Sequence, residues 1–153
     1  MYIVTKNNME KVVYVIGSFD LFHRGHVELL RRARALGDRL IVAINGDDIV
    51  EKYKRRPYIK EDDRLAVVQA CRYVDEAFVI HTFDNKEVIC KYGINIIVHG
   101  DDWCGMSYLE QIRLTPEFIQ EHQIQLIYLP YTKGISTSEI ISQIQQSSCF
   151  TGI

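Results

Sequence analysis

The 153-residue chain has no apolar run approaching the ~20 residues that span a bilayer, which excludes a membrane helix. Its first residues, Met1 to Lys11, are polar and lack the apolar centre of a secretory signal. No C-x-x-C pair occurs among Cys71, Cys90, Cys104 and Cys149, so neither a zinc framework nor a disulfide scaffold is indicated. Reduced thiols in a cytoplasmic protein are expected, with Cys71 and Cys90 in the core. The formal charge is −2, so no basic field marks a nucleic-acid binder. There is no repeat, no linker and no low-complexity stretch. A Gly-Lys-Ser/Thr phosphate loop and a Gly-x-Gly-x-x-Gly turn are also missing.

What is present is an alternation. Val12–Ile16, Leu40–Ile44, Ala77–Ile80, Ile94–Val98 and Gln125–Leu129 are short, largely apolar and rich in β-branched residues. Such runs read as strands buried on both faces of a parallel sheet. Between them, Val27, Leu30, Ala33 and Leu36 predict a helix that ends at Gly37. Leu65, Val68 and Cys71 predict a second helix. Val88, Ile89 and Tyr92 predict a third, stopped at Gly93. Ile140, Ile141 and Ile144 predict the last. The expected fold is therefore α/β: a single doubly wound, Rossmann-like, five-stranded parallel sheet with helices on both faces. The domain is expected over 11–146, between an N-terminal extension (1–10) and a C-terminal tail (147–153).

Ligands of such sheets bind beyond the carboxyl ends of the strands, where the polar clusters of this chain fall. After the first strand comes Gly17-Ser18-Phe19-Asp20-Leu21-Phe22-His23-Arg24-Gly25-His26. A helix start there offers unpaired N–H groups and a partial positive charge to an anion. Two imidazoles add donors for phosphate oxygens, and Gly25 is expected to let a phosphate approach the backbone. After the second strand, Glu51 to Pro57 carries Lys52, Lys54, Arg55 and Arg56, cations able to close over phosphates. After the fourth come Gly100, Asp101, Asp102 and Trp103. The two acids suit Mg²⁺, ribose hydroxyls or a turn; Trp103 suits base stacking or packing. After the fifth, Thr132, Gly134, Ile135, Ser136 and Thr137 form a second anion cradle, and Ser136-x-x-Glu139 is a capping box. Arg72, before Asp75, is placed to pair with that acid or to reach a phosphate.

These segments resemble the cytidylyltransferase family of the His-x-Gly-His nucleotidyltransferase superfamily. Gly17 to His26 is similar to that family's Gly-Thr-Phe-Asp-x-x-His-x-Gly-His, with Ser18 for the threonine. Arg72-Tyr73-Val74-Asp75-Glu76 matches its Arg-Tyr-Val-Asp-Glu. Gly134-Ile135-Ser136-Thr137-Ser138 matches the core of Arg-Thr-Glu-Gly-Ile-Ser-Thr-Ser/Thr, but Tyr131 replaces the arginine and Lys133 the glutamate. Gly100-Asp101-Asp102-Trp103 most resembles bacterial glycerol-3-phosphate cytidylyltransferases.

The resemblance implies reaction of CTP with a small phosphorylated alcohol, Mg²⁺ and a homodimer. It makes His23, His26, Lys54 and Arg72 the catalytic candidates. Gly17, Ser18, Phe19, Asp20, Gly25, Gly100, Asp102, Thr132, Gly134, Ile135, Ser136 and Thr137 would bind nucleotide, and Lys52, Arg55 and Trp103 the acceptor. Glycerol 3-phosphate is the first acceptor, with phosphocholine, phosphoethanolamine or another polyol phosphate as the alternative. An adenylyltransferase and a nucleotide-binding regulator without turnover are the rival readings. The metal ligands are not specified.

Overall fold

The computed structural model describes residues 9–101 and 106–147. Five strands form one all-parallel sheet: β1 (Val12–Gly17), β2 (Arg39–Asn45), β3 (Glu76–Ile80), β4 (Ile96–Gly100) and β5 (Gln125–Leu129). Their order is β3-β2-β1-β4-β5. The chain leaves β1 to build one half of the sheet and crosses back to start the other with β4. The switch point, where a crevice opens, thus lies between β1 and β4.

The strands are apolar on both faces because both faces are covered. Val12, Tyr14 and Ile16 of β1 point into one core, and Val13 and Val15 into the other. On the second side lie α1 (Arg24–Arg34), through Leu30 and Ala33, and α3 (Glu61–Gln69), through Val68. On the first lie α4 (Lys86–Tyr92), α5 (Met106–Gln111) and α6 (Pro116–Glu121). A short α2 (Asp47–Glu51) follows β2, and α7 (Thr137–Ser147) follows β5. The doubly wound architecture expected from the alternation is the one observed. Among the described residues, no helix is long and apolar enough to cross a membrane.

Several local expectations are corrected. The fourth strand starts at Ile96, because Ile94 N–H turns back to the Ile89 carbonyl and the Asn95 side chain accepts from Val12 N–H. His99 and Gly100 therefore belong to the strand. The second helix ends at Gln69, leaving Cys71 half-buried in the turn after it. Cys90 is exposed, since Ile89 takes the buried position of α4. Residues 1–8, 102–105 and 148–153, including Asp102, Trp103, Cys104 and Cys149, lie outside the described residues.

Candidate active site

Two cavities open at the carboxyl end of the sheet and share a wall of Ile16, Gly17, Ser18, Lys54, His99 and Tyr131. The larger, about 700 Å³, is lined by the β1–α1 segment, the basic loop and the β5–α7 segment. The smaller, about 510 Å³, lies toward Asn45, Phe83 and Gln111.

The two histidines make a reciprocal pair at the start of α1. His23 Nδ1 accepts from Gly25 N–H at 3.0 Å, and His26 Nδ1 accepts from His23 N–H at 3.1 Å. Each ring therefore carries its proton on Nε2. His23 Nε2 lies 3.3 Å from the Thr137 hydroxyl, which in turn donates to the Asp20 carbonyl. His26 packs on Phe22, ring centroids 5.3 Å apart, and on Phe19. Burial, with the neighbouring His23 and Lys54 charges, pushes its pKa down to about 3. His23 is also lowered, by burial. Both are neutral donors at physiological pH, available to phosphate without losing a proton.

Gly25 has a different purpose from the one expected. A Cβ there would lie 2.7 Å from His23 Cε1, so the room it leaves is filled by the His23 ring. Gly134 adopts φ +86°, a conformation that glycine takes readily. Phe19 and Leu21 hold positive φ (54° and 50°) on either side of Asp20. This strained turn aims the Asp20 carboxylate at the basic loop.

Asp20 is an anchor. Its Oδ1 accepts from Ile59 N–H at 3.0 Å, and its Oδ2 from Tyr58 N–H at 3.0 Å and Arg55 at 2.9 Å. Burial works to raise this carboxyl, but those donors outweigh it and hold the pKa below its ordinary value. The structure thus assigns Arg55 to holding the loop. Lys54, next to it, lines both cavities, and its side chain has no hydrogen bond or ion pair among the described residues.

The remaining site candidates divide. Gly17, Ser18, Phe19, Gly100, Thr132, Ile135, Ser136 and Thr137 all line the larger cavity. Ser136 Oγ caps α7 by accepting from Glu139 N–H at 3.1 Å. Lys52 stands outside both cavities, its Nζ 5.9 Å from the Phe83 ring centroid. Arg72 is not brought to the cleft. It is exposed beside Tyr73, while Asp75 pairs with Arg34 at 3.0 Å and accepts from Leu40 N–H.

Sequence reasoning missed Arg64, which is almost wholly buried. It donates to the carbonyls of Ile59, Ser18 and Asn45 and to Asp47 Oδ1. One guanidinium thereby ties β1, β2 and the basic loop together. Tyr53 was also missed; its hydroxyl lies 3.2 Å from Ser18 Oγ and accepts from Asn45 Nδ2 at 3.0 Å. Arg32 Nη1 clamps the β5–α7 segment through the Pro130 carbonyl. Nothing in the local pattern marks these three, because their partners are remote in sequence.

Two carboxylates line the larger cavity among the described residues. Asp20 is committed to the basic loop, which leaves Glu139 with open oxygens. That set fits Mg²⁺ carried on a triphosphate, since the ion commonly takes one or two carboxylates plus phosphate oxygens.

The cytidylyltransferase-like family model matches residues 14–143. The chain is 36% identical over 137 residues to the glycerol-3-phosphate cytidylyltransferase of Bacillus subtilis (strain 168), covering 89% of this chain and 98% of that one. It is 38% identical over 144 residues to the ethanolamine-phosphate cytidylyltransferase of Dictyostelium discoideum, covering 88% of this chain but 38% of that longer protein. The solved lipopolysaccharide core biosynthesis protein from Thermoplasma volcanium GSS1 shares the fold, with a TM-score of 0.70 at 23% identity over 82% of this chain and all of its own. With a family match over most of its length, two imidazole donors and a cation on one cleft, the chain belongs to the cytidylyltransferase-like family.

Proposed function

We propose that this cytidylyltransferase is a cytoplasmic enzyme that transfers CMP from CTP to glycerol 3-phosphate, releasing pyrophosphate. The observation that carries the reading is the shared wall of the two cavities. Lys54 stands there beside Gly17 and Ser18, with both histidines lining the larger cavity. In this reading the larger cavity takes CTP and the smaller takes the acceptor. An acceptor phosphate oxygen forms a bond to the α-phosphorus of CTP. The bond from that phosphorus to the bridging oxygen breaks, and pyrophosphate leaves with the electron pair. A dianionic acceptor needs no general base, so the protein acts by positioning and charge stabilisation. His26 Nε2–H and the start of α7 face the departing oxygens, and Lys54 neutralises charge at the reacting phosphorus. Glu139 would share Mg²⁺ with the triphosphate; the ion, when bound, offsets phosphate charge.

The relatives support the acceptor. The glycerol-3-phosphate cytidylyltransferases of Bacillus subtilis and of Staphylococcus aureus (strain NCTC 8325 / PS 47) are matched over 98% and 95% of their length. The homodimer belongs to the same proposal, and sedimentation equilibrium tests it. Pyrophosphate release measured with each of the four NTPs and glycerol 3-phosphate tests the activity. CTP is expected to be preferred, and equal or faster release with ATP overturns the reading.

A further inference from the structure

We infer that the smaller cavity selects a neutral, hydroxyl-bearing acceptor over a cationic amino alcohol, and that Gln111 is the residue that reads the head group. The inference rests on the proposed function, because it takes the smaller cavity to be the acceptor's. Its first support is the charge of the walls. Among the described residues the lining contains no carboxylate. It does contain Lys54, and Phe83, whose ring has Lys52 Nζ at 5.9 Å and Arg113 Cζ at 5.3 Å from its centroid. An ammonium group in this cavity would meet the Lys54 cation, with Lys52 and Arg113 close to the Phe83 ring, and no counter-charge among the described residues. An aromatic face is the other common way to hold such a group, but Phe83 already has two cations near its ring.

The second support is the polar lining. Its side chains besides Lys54, His99 and the buried Asn85 and Tyr108 include Ser18, Asn45, Tyr53, Thr82 and Gln111, all neutral. Four of them are already engaged: the Tyr53 hydroxyl joins Ser18 to Asn45, and Thr82 Oγ1 accepts from Asp84 N–H. Gln111, the half-buried last residue of α5, is different. Its side-chain amide has no hydrogen-bond partner among the described residues. An amide offers two donors and an acceptor, which matches a hydroxyl that both donates and accepts. A half-buried amide left without a partner gains most from a ligand that supplies one. The phosphate end of the acceptor would lie at Lys54, and the head group would extend toward Gln111. A volume of about 510 Å³ suffices for a small alcohol.

The test compares glycerol 3-phosphate, phosphoethanolamine and phosphocholine as acceptors with CTP, in wild type, Gln111→Leu and Gln111→Glu. For wild type, kcat/KM for glycerol 3-phosphate is expected to exceed that for either amino-alcohol phosphate by about tenfold or more, the order of one or two directional hydrogen bonds. Gln111→Leu is expected to raise KM for glycerol 3-phosphate about tenfold and leave KM for CTP unchanged. Gln111→Glu supplies the missing counter-charge and is expected to shift the acceptor ratio toward phosphoethanolamine by about tenfold or more. A wild type that prefers phosphoethanolamine or phosphocholine overturns the inference, and with it glycerol 3-phosphate as the proposed acceptor, while leaving CMP transfer intact. So does a Gln111→Glu variant, melting like wild type, whose acceptor ratio is unmoved. If the variants do not fold, the wild-type preference alone decides. No pyrophosphate with any of the three acceptors overturns the proposed function, and this inference with it.

Discussion

The His23 Nε2–H group points at the Thr137 hydroxyl, 3.3 Å away and 114 residues later in the chain. That contact joins the start of α1 to the start of α7 and gives the larger cavity two adjoining helix N-termini. It also separates the duties of the two histidines. His23 is tied down by Gly25 and Thr137, whereas His26, which also lines the larger cavity, has no hydrogen-bond partner for its Nε2–H among the described residues.

Removing that donor is expected to be costly. His26→Ala should lower kcat by about 10²–10³-fold, the usual loss for one transition-state donor. Steady-state pyrophosphate release on a variant with wild-type circular dichroism checks this. Near-normal turnover would exclude His26 from the phosphate site.

Thr137→Val removes the acceptor for His23 while keeping the side-chain shape. It is expected to lower kcat/KM by about tenfold, the scale of one hydrogen bond. Thr137→Ser, which keeps the hydroxyl, should restore activity. Equal kinetics in all three proteins would show that the contact has no consequence.

Lys54→Ala should lose kcat/KM by on the order of 10²-fold, mainly through kcat, if its cation acts at the reacting phosphorus as proposed. CTP affinity by calorimetry should weaken much less. A variant whose KM alone rises would instead make Lys54 a ground-state binder.

Arg64 holds three carbonyls and the Asp47 carboxylate from a nearly sealed position. Arg64→Met leaves that carboxylate and the carbonyls without their donors, and should destabilise the fold by about 3–5 kcal/mol. Urea denaturation measures it. A loss under ~1 kcal/mol would mean that water replaces the guanidinium at little cost.

The depressed His26 pKa fixes the sign of a pH effect. The folded protein resists protonating this ring until about pH 3, whereas the ordinary value is 6.5. The unfolded chain therefore takes up the proton first, and stability falls as pH drops from about 6.5 toward 3. His81 acts in the opposite sense. Its hydrogen bond to Asp48 raises its pKa, so its small contribution is present below 6.5 and fades as pH rises. Melting temperature against pH should have a shallower acid slope in His26→Gln than in wild type. Parallel curves would mean that His26 is not buried as neutral imidazole.

Much of this protein was legible in its chain. The strands announced themselves through runs such as Val12–Ile16, because a strand covered on both faces must be apolar at every position. The His-x-Gly-His segment could be placed at a helix start, because an apolar strand precedes it and Val27, Leu30 and Ala33 follow at helical spacing. The run of cations after β2 could be read from its position, and the family resemblance singled out Lys54 within it. Arg72 could not be judged in this way: its motif places it before β3, but only the packing leaves it exposed outside both cavities. Arg55 and Asp20 each looked like ligand groups and turned out to hold each other.

The order of the elements, the two-faced core and the edge of the sheet where polar loops collect could be read from the chain alone. Those properties follow from hydrophobic periodicity and local turn chemistry, which act over a few residues. Which polar groups meet became visible in the folded chain. Gly25 yields its space to the His23 ring, Arg64 is buried against the ends of β1 and β2, Tyr53 reaches Ser18 and Asn45, and Gln111 lines the smaller cavity. A hydrogen bond is directional and short, so whether a side chain spends it on the protein or keeps it for a ligand depends on atoms that only folding brings within 3 Å.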